Sequence, residues 1–154
     1  MEQLTGEYPV TLDVKYRISL PASLRKILGE TKLHLTKGTS NCLWLYTPAG
    51  WNELKDTIMK NTNPFSKKFL SLRRQIIGPS QEVEIDSAGR IHVAASLREY
   101  AGLEKDCIVS AQIDRIEIWS VNRYNEYNEN NIDEYEAALE EISDILQSQK
   151  GIDD

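Results

Sequence analysis

The amino-acid sequence predicts an α+β protein in which two similar β-rich repeats form the core and helices lie at the periphery. Three observations support this prediction: the second half of the chain resembles the first, apolar and polar residues alternate in short runs, and proline and glycine bracket short helical segments. With 154 residues, of which 40% are hydrophobic, the chain can bury a core, whereas a large multidomain enzyme is excluded.

The internal similarity extends through most of each copy. A single constant shift places 8–29 on 81–102 and, without a gap, 43–54 on 116–127. Identical residues recur at equivalent positions: Asp13 and Asp86, Arg17 and Arg90, Ile18 and Ile91, Ala22-Ser23-Leu24-Arg25 and Ala95-Ser96-Leu97-Arg98, and Gly29 and Gly102. We interpret this pattern as a tandem duplication.

Each copy is expected to fold as β-β-α-β-β-α. In the first copy, apolar and polar residues alternate in 10–12 and 18–20 on either side of a short turn that contains Asp13, as in a half-buried β-hairpin. Pro21 and Gly29 then bracket a helix of about two turns. Two more β-rich runs follow in each copy, and each copy closes with a polar segment that looks helical.

Two further helices are predicted outside the repeats. Asn63-Pro64 marks the start of the helix between the copies and Gly78-Pro79 its end, and a strongly acidic helix follows the second copy. Both have apolar residues at helical spacing: Phe65, Phe69, Leu72 and Ile76 in one, and Ile132, Tyr135, Leu139, Ile142 and Leu146 in the other. Such stripes need a covering partner, so we expect a closed homo-oligomer larger than a dimer.

These elements divide the chain into four predicted parts. The first repeat covers 1–55 and a helical linker 56–81, the second repeat covers 82–128, and an acidic C-terminal helix and tail cover 129–154. Residues 1–81 contain 12 Lys and Arg against 6 Asp and Glu, whereas residues 82–154 contain 6 against 18. The formal net charge of −6 therefore conceals a positive first half, which can present a local field to DNA.

Several classes of site are not indicated by the sequence. Cys42 and Cys107 lack the spacing of a zinc site or a disulfide framework, so we expect two buried thiols and no metal. No nucleotide-binding glycine motif occurs, and no cofactor or small-molecule substrate is expected. Because the N-terminus lacks the features of a signal peptide and no apolar run approaches the roughly 18 residues of a membrane helix, we expect a cytoplasmic protein.

The two hairpin turns carry the candidate site. In Asp86-Ser87-Ala88-Gly89-Arg90, Gly89 can supply a positive φ and Asp86 can accept hydrogen bonds from the amides of the turn. In the other turn, Lys15 and Arg17 flank an aromatic residue. An exposed tip of this kind could enter a DNA groove, with arginine reading guanine and lysine holding phosphate, although a solvated hairpin tip explains the same pattern.

Four features of the chain occur together: the two D-x-x-x-R turns, the LPASLR helix, the RRQIIG linker and the duplication. In this combination the chain resembles the MraZ family of bacterial transcriptional regulators, which have two AbrB-like (SpoVT-AbrB) repeats. The resemblance implies a small barrel-like core and a ring-shaped homo-oligomer. It further implies binding to short tandem repeats in double-stranded DNA at the promoter of the division and cell-wall gene cluster, and hence a nucleoid-associated protein. The DNA-binding residues implied are Asp13, Lys15, Tyr16, Arg17 and Arg90, with Asp86 and Gly89 as structural turn residues.

This chain departs from the family pattern in both turns. Tyr16 stands where the family usually has glycine, and a positive φ would cost tyrosine roughly 1–2 kcal/mol. We therefore expect either a reshaped hairpin or a contact that offsets the strain. In the second copy Ala88 replaces lysine and Ala94 replaces proline, which suggests a weaker DNA reader.

Other functions compete with this interpretation. Asp86, His92 and Ser96 contain the side chains of a hydrolytic triad, but His92 is expected to point outward from a strand and Ser96 lacks a nucleophile elbow, so we expect no enzyme. An antitoxin-like AbrB module with an acidic protein-binding tail is the main alternative. RNA binding is less favoured, because neither copy has the aromatic strand pair of a base-stacking platform.

Overall fold

The computed structural model describes residues 4–153, and it confirms the α+β class and the order β-β-α-β-β-α in both copies. The strands are β1 Leu4–Thr11, β2 Arg17–Ser19, β3 Lys32–Lys37, β4 Leu43–Tyr46, β5 Gln81–Glu84, β6 Arg90–His92, β7 Asp106–Ile113 and β8 Ile116–Ser120. The helices are α1 Ala22–Leu28, α2 Pro48–Lys60, α3 Lys67–Leu72, α4 Ala95–Ala101, α5 Val121–Asn130 and α6 Ile132–Asp153.

Six of the strands form one antiparallel sheet, in the order β1-β7-β8-β4-β3-β5. Strands β2 and β6 form a separate two-stranded ribbon. Each edge strand of the sheet, β1 or β5, leads through a short turn into one strand of this ribbon. The expected barrel-like core thus takes the form of an open sheet with a ribbon that connects to both of its edges.

The strands of the two repeats are exchanged. Strand β1 of the first repeat pairs with β7 of the second, and β5 of the second pairs with β3 of the first. Ile18 lies directly opposite Ile91, and Trp44 lies opposite Glu117, and in both pairs the partners are equivalent positions of the two repeats. An approximate two-fold axis therefore passes between the repeats at these two places, and neither repeat completes its sheet alone.

The ungapped alignment of the repeats is one residue out of register in the exchanged strands β3 and β7. Val10 pairs with Cys107, whereas the equivalent Val83 pairs with Leu33. Leu33 and Cys107 are therefore structural equivalents, although the ungapped alignment places Leu33 on Asp106. The second repeat has one additional residue before β7, and the shorter turn between β7 and β8 restores the ungapped alignment by β8.

The core contains equivalent residues from both repeats. Leu24 of α1 and Leu97 of α4 are fully buried, and each helix ends at a glycine in the left-handed conformation, Gly29 or Gly102. The sequence predicted the helix end at Gly29. The thiols of Cys42 and Cys107 are buried too. Burial raises their pKa to about 12 and about 11, respectively, so neither is a reactive thiolate at neutral pH.

The linker helix begins later than the sequence indicated. Asn63 and Ser66 each accept a hydrogen bond from a nearby backbone amide, and α3 starts at Lys67 with Ser66 as its N-cap. A π-helical turn, Arg73–Ile77, continues α3 and ends at Gly78, where the sequence placed the stop. Of the predicted stripe only Ile76 is buried, whereas Phe65, Phe69 and Leu72 are exposed.

The chain divides into two compact units, and the second begins at Asn122. In this second unit, α5 and α6 are connected at Asn131, whose backbone amide donates to the Tyr127 carbonyl. The predicted apolar stripe on α6 is present, and its members are 49–60% exposed: Ile132, Tyr135, Leu139, Ile142 and Leu146. Across residues 4–153, none of the helices is long and apolar enough to span a membrane.

Candidate nucleic-acid interface

The first hairpin turn is organised around the carboxylate of Asp13. Its Oδ1 accepts hydrogen bonds from the backbone amides of Lys15 and Arg17, both at 2.9 Å, and its Oδ2 accepts from Nε of Arg17 at 2.9 Å. The Tyr16 amide donates to the Asp13 carbonyl, also at 2.9 Å. One carboxylate therefore fixes both the turn backbone and the direction of the Arg17 side chain.

The second turn repeats this geometry around Asp86. The backbone amides of Ala88 and Arg90 donate to Oδ1 at 2.9 Å, and Nε of Arg90 donates to Oδ2 at 3.0 Å. This confirms the prediction that Asp86 accepts hydrogen bonds from the amides of its turn. In both turns the ion pair uses Nε, which leaves the terminal amino groups of the guanidinium available to an external acceptor.

Both carboxylates are held in the charged form. At Asp13, desolvation alone would raise the pKa, but the hydrogen bonds from the Arg17 backbone and side chain and from the Lys15 amide outweigh it and lower the pKa. At Asp86 the hydrogen bond from the Arg90 amide is the largest influence, and the pKa is again lowered against desolvation. At neutral pH each turn therefore contains an ionised aspartate paired with an arginine.

The ribbon places the two turn arginines on one exposed face. Arg17 lies opposite His92, and Ser19 lies opposite Arg90. Because side chains alternate along a strand, these four residues share the outer face, whereas the intervening Ile18 and Ile91 are fully buried. His92 is exposed, as the sequence predicted. The structure therefore brings together two signatures that belong to different repeats and lie far apart in the chain.

Each turn is also held by the other repeat. The Leu20 amide donates to the Gly89 carbonyl, and the equivalent Val93 amide donates to the Tyr16 carbonyl, both at 2.9 Å. These reciprocal bonds fix the two turns relative to one another across the approximate two-fold axis. Backbone hydrogen bonds between the repeats therefore help to set the spacing between Arg17 and Arg90.

Tyr16 keeps the left-handed conformation of the glycine that it replaces, with a φ of 62°, against 82° at Gly89. The hairpin is therefore not reshaped, and the alternative that Tyr16 makes a contact is the one observed. The guanidinium carbon of Arg98 lies 3.6 Å from the centroid of the Tyr16 ring, within the range of a cation–π contact. At the second turn Arg25 lies against Gly89 in the equivalent position.

Sequence reasoning missed two arginines that contact the turns, Arg25 and Arg98. Both are the arginine of the repeated Ala-Ser-Leu-Arg segment, and each lies over the turn of the opposite repeat. Their equivalence was visible in the repeat, but their position was not, because it depends on strand exchange. The candidate face carries the cations Lys15, Arg17 and Arg90, and the ion pairs there, within residues 4–153, are those of Asp13 with Arg17 and Asp86 with Arg90.

The possible triad residues are positioned differently from a catalytic centre. The Asp86 carboxylate accepts hydrogen bonds from Arg90 within its own turn. His92 lies on the ribbon opposite Arg17, and Ser96 is exposed on α4. None of these contacts joins the three side chains into a hydrogen-bonded chain. Among the residues that the structure describes, no group of His, Cys, Asp and Glu side chains could hold a metal ion.

These features define a tandem-repeat protein whose exchanged β-hairpins present paired arginines on a cationic ribbon. The family model described as "MraZ protein, putative antitoxin-like" matches residues 3–72 and 76–144. The chain belongs to the MraZ family.

Curated relatives match along nearly the full chain. The transcriptional regulator MraZ of Treponema denticola is 42% identical over 142 residues, which are 92% of this chain and 99% of the relative. The protein of the same name from Treponema pallidum is 38% identical over 141 residues, with 92% and 95% covered. The one from Clostridium beijerinckii is 39% identical over 142 residues, with 91% and 96% covered.

Proposed function

We propose that this protein is a transcriptional regulator that binds double-stranded DNA in a sequence-specific manner. The observation that carries the proposal is the pair of Asp-organised turns, which aim Arg17 and Arg90 outward from one rigid ribbon. A two-stranded ribbon of this kind fits the major groove, where arginine recognises guanine through two hydrogen bonds. The names of the relatives, transcriptional regulators, support the same function.

The residues of the first turn divide the work of recognition. Asp13 holds Arg17 through Nε, so the side chain is already oriented before DNA binds and loses less conformational entropy on binding. Its terminal amino groups face a base edge in this proposal, and the exposed Lys15 contacts phosphate. Arg90 has the same internal support but no lysine beside it, because Ala88 occupies that position. The first turn is therefore the stronger reader.

The finer proposal is that the target consists of short tandem repeats in the promoter of the division and cell-wall gene cluster, bound by a ring-shaped homo-oligomer on the nucleoid. Support for the target comes from the family, and support for the ring comes from the exposed stripe on α6. Exposed Phe65 and Phe69 beside Lys67 and Lys68 offer a basic, apolar surface that complements the acidic α6 of a second copy. A contact between two different surfaces closes into a ring when the rotation permits.

The DNA target is tested by footprinting on the region upstream of the protein's own gene, followed by binding to fragments with altered spacing. Sites one helical turn apart lie on one side of the duplex, about 34–36 Å along it. Inserting 5 base pairs should therefore abolish joint engagement and weaken binding by roughly 10²–10⁴-fold, whereas 10 base pairs should cost much less. Equal affinity for the 5-base-pair fragment and the native spacing would show that subunits read DNA independently.

The ring is tested by sedimentation equilibrium at micromolar concentration. We expect a closed species larger than a dimer, and Ile142→Asp on the exposed stripe of α6 should dissociate it, whereas Glu141→Gln beside it should not. A monomeric wild-type protein would contradict the ring without affecting the assignment of the DNA-binding face.

A second candidate function is that of an antitoxin-like module whose acidic C-terminal helix binds a basic protein. The description of the family and the exposed apolar stripe on the acidic α6 favour it. A dimer with a protease-sensitive C-terminus would support this alternative, whereas a protease-resistant ring would support the regulator. Neither function requires catalysis, and we propose that the protein is not an enzyme.

A further inference from the structure

Arg25 and Arg98 occupy equivalent positions in the two repeats, yet their guanidinium groups are held in different ways. Nε of Arg25 donates to the Leu20 carbonyl at 3.1 Å, and the group lies directly over Gly89. A Cβ added to Gly89 would be only 2.6 Å from the guanidinium carbon of Arg25. Arg25 therefore fills the space that the missing side chain leaves and covers the backbone of the second turn, where Gly89 is buried.

At the first turn a side chain occupies the corresponding space. Because Tyr16 has a Cβ, Arg98 cannot cover the turn backbone as Arg25 does, and it stacks on the tyrosine ring with its Cζ 3.6 Å from the centroid. The Arg98 Nη1 donates to the Val93 carbonyl, which fixes the other end of the contact. Tyr16 is itself 48% exposed at the tip of the hairpin, and Arg98 is half-buried. The stacked pair is therefore partly accessible to solvent at this turn.

The chemistry of this pair fits a phosphate. A guanidinium has five N–H donors in one plane, and stacking fixes that plane while leaving its edge free to donate. Within residues 4–153, no carboxylate forms an ion pair with Arg98. A fixed, unneutralised guanidinium beside a base-reading residue is the usual donor to the phosphate oxygens that flank a recognised base.

We propose that Arg98 of the second repeat is a phosphate-binding residue of the first turn and that Tyr16 is its positioning residue. The inference rests on the proposed DNA-binding function, to which it adds a contact. The tyrosine in place of glycine thus gives the first turn a second phosphate donor besides Lys15. The two repeats together build one strong reading surface, with the stacked arginine supplied by the opposite repeat across the approximate two-fold axis.

The test uses five variants of the 154-residue protein on one promoter fragment across a salt series. Arg98→Ala removes the proposed donor, Tyr16→Gly removes its support, and Tyr16→Phe keeps the ring without the hydroxyl. Arg25→Ala is the matched control at the other turn, and Arg17→Ala is the reference for loss of binding. Affinity and its salt dependence are measured together with the thermal midpoint of each variant. The salt slope separates a phosphate contact from a purely structural role, because each lost contact reduces it by about 0.9.

Arg98→Ala and Tyr16→Gly should each weaken binding about tenfold per contact and flatten the salt dependence, and Tyr16→Phe should bind as wild type does. Arg25→Ala should lower the thermal midpoint and leave the salt slope unchanged.

An unchanged affinity and slope for Arg98→Ala, in a protein whose Arg17→Ala variant loses binding, would overturn the inference and leave the proposed function intact. If Arg25→Ala reduced the salt slope as much as Arg98→Ala does, the proposed role of Tyr16 would be overturned. Absence of specific binding by the wild type would overturn the proposed function itself.

Discussion

The two hairpin turns of this protein have the same internal hydrogen bonds but different surroundings. Asp13 and Asp86 accept from equivalent donors at distances between 2.9 Å and 3.0 Å, and both hold an arginine by Nε. The position before each arginine differs, since it is an exposed tyrosine in one turn and a buried glycine in the other. After the duplication, the scaffold of the turn has been kept while its outer surface has diverged.

The largest expected effect is on DNA binding, and it separates the two turns. Arg17→Ala should abolish specific binding, because a bidentate base contact is worth about 1–3 kcal/mol per site and every subunit of the proposed ring would lose one. Arg90→Ala should do less damage, since Ala88 and Gly89 supply neither a neighbouring lysine nor a stacked arginine. Both variants lose the same internal ion pair, so each is the structural control for the other. Equal affinities of the two variants at fixed salt would show that the turns read DNA equally.

The second prediction concerns the core, where the repeats should still be equivalent. Ile18 and Ile91 lie opposite each other on the approximate two-fold axis, and both are fully buried. Ile18→Ala and Ile91→Ala should therefore each lower the free energy of unfolding by about 2–5 kcal/mol, and by similar amounts. Urea unfolding measures both values. A difference of more than about 2 kcal/mol would mean that the divergence extends into the core.

Much of the fold followed from the sequence because its signals are local. Alternating residues around Asp13 and Asp86, and the glycines after α1 and α4, determine hairpins and helix ends within a short stretch of chain. Strand exchange was not predicted, because pairing β1 with β7 depends on packing between segments at opposite ends of the duplicated region. The slipped register of β3 and β7 was missed for the same reason, since the single additional residue is compensated before β8.

For the candidate site, the sequence predicted the geometry within a single turn. It did not predict the contacts that join residues of the two repeats. The roles of Asp86 and Gly89 followed from turn chemistry. The sequence also showed that Tyr16 requires either a reshaped turn or a contact, but it did not name Arg98, which lies in the other repeat. Such a contact becomes visible only when the exchanged hairpins bring the opposite helix over the turn.

The third prediction concerns the stability effect of the residue before each turn arginine, which is Tyr16 in the first turn and Gly89 in the second. Gly89→Ala should destabilise the protein by about 1–3 kcal/mol, because its φ of 82° disfavours a side chain and the new Cβ would collide with Arg25. Tyr16→Gly should change stability by less than about 1 kcal/mol, since relief of the strained φ offsets the lost stacking on Arg98. Thermal unfolding of both variants provides the measurement. A large loss in Tyr16→Gly would mean that the stack, rather than the turn, stabilises this end of the ribbon.

The smallest expected effect is a dependence of stability on acid pH that both turns share. Asp13 and Asp86 have a pKa below the ordinary value of 3.8 in the folded protein, because amide and guanidinium groups donate to their charged form. Their contribution to stability is therefore present above that ordinary value and disappears as the pH falls through the folded pKa.

Asp13→Asn and Asp86→Asn keep an acceptor oxygen in each turn but remove the charge. Each should lower the urea midpoint at neutral pH and flatten its decline as the pH falls below the ordinary value of 3.8 and through the folded pKa, with both effects adding in the double variant because the two carboxylates have separate donors. Asp56→Asn on α2, an exposed helix position, is a suitable control for the loss of one carboxylate elsewhere. The urea midpoint of the double variant could decline with acid as steeply as that of the wild type. In that case the turn carboxylates orient the arginines without stabilising the fold, and the hydrogen bonds that the two turns share serve the proposed DNA recognition alone.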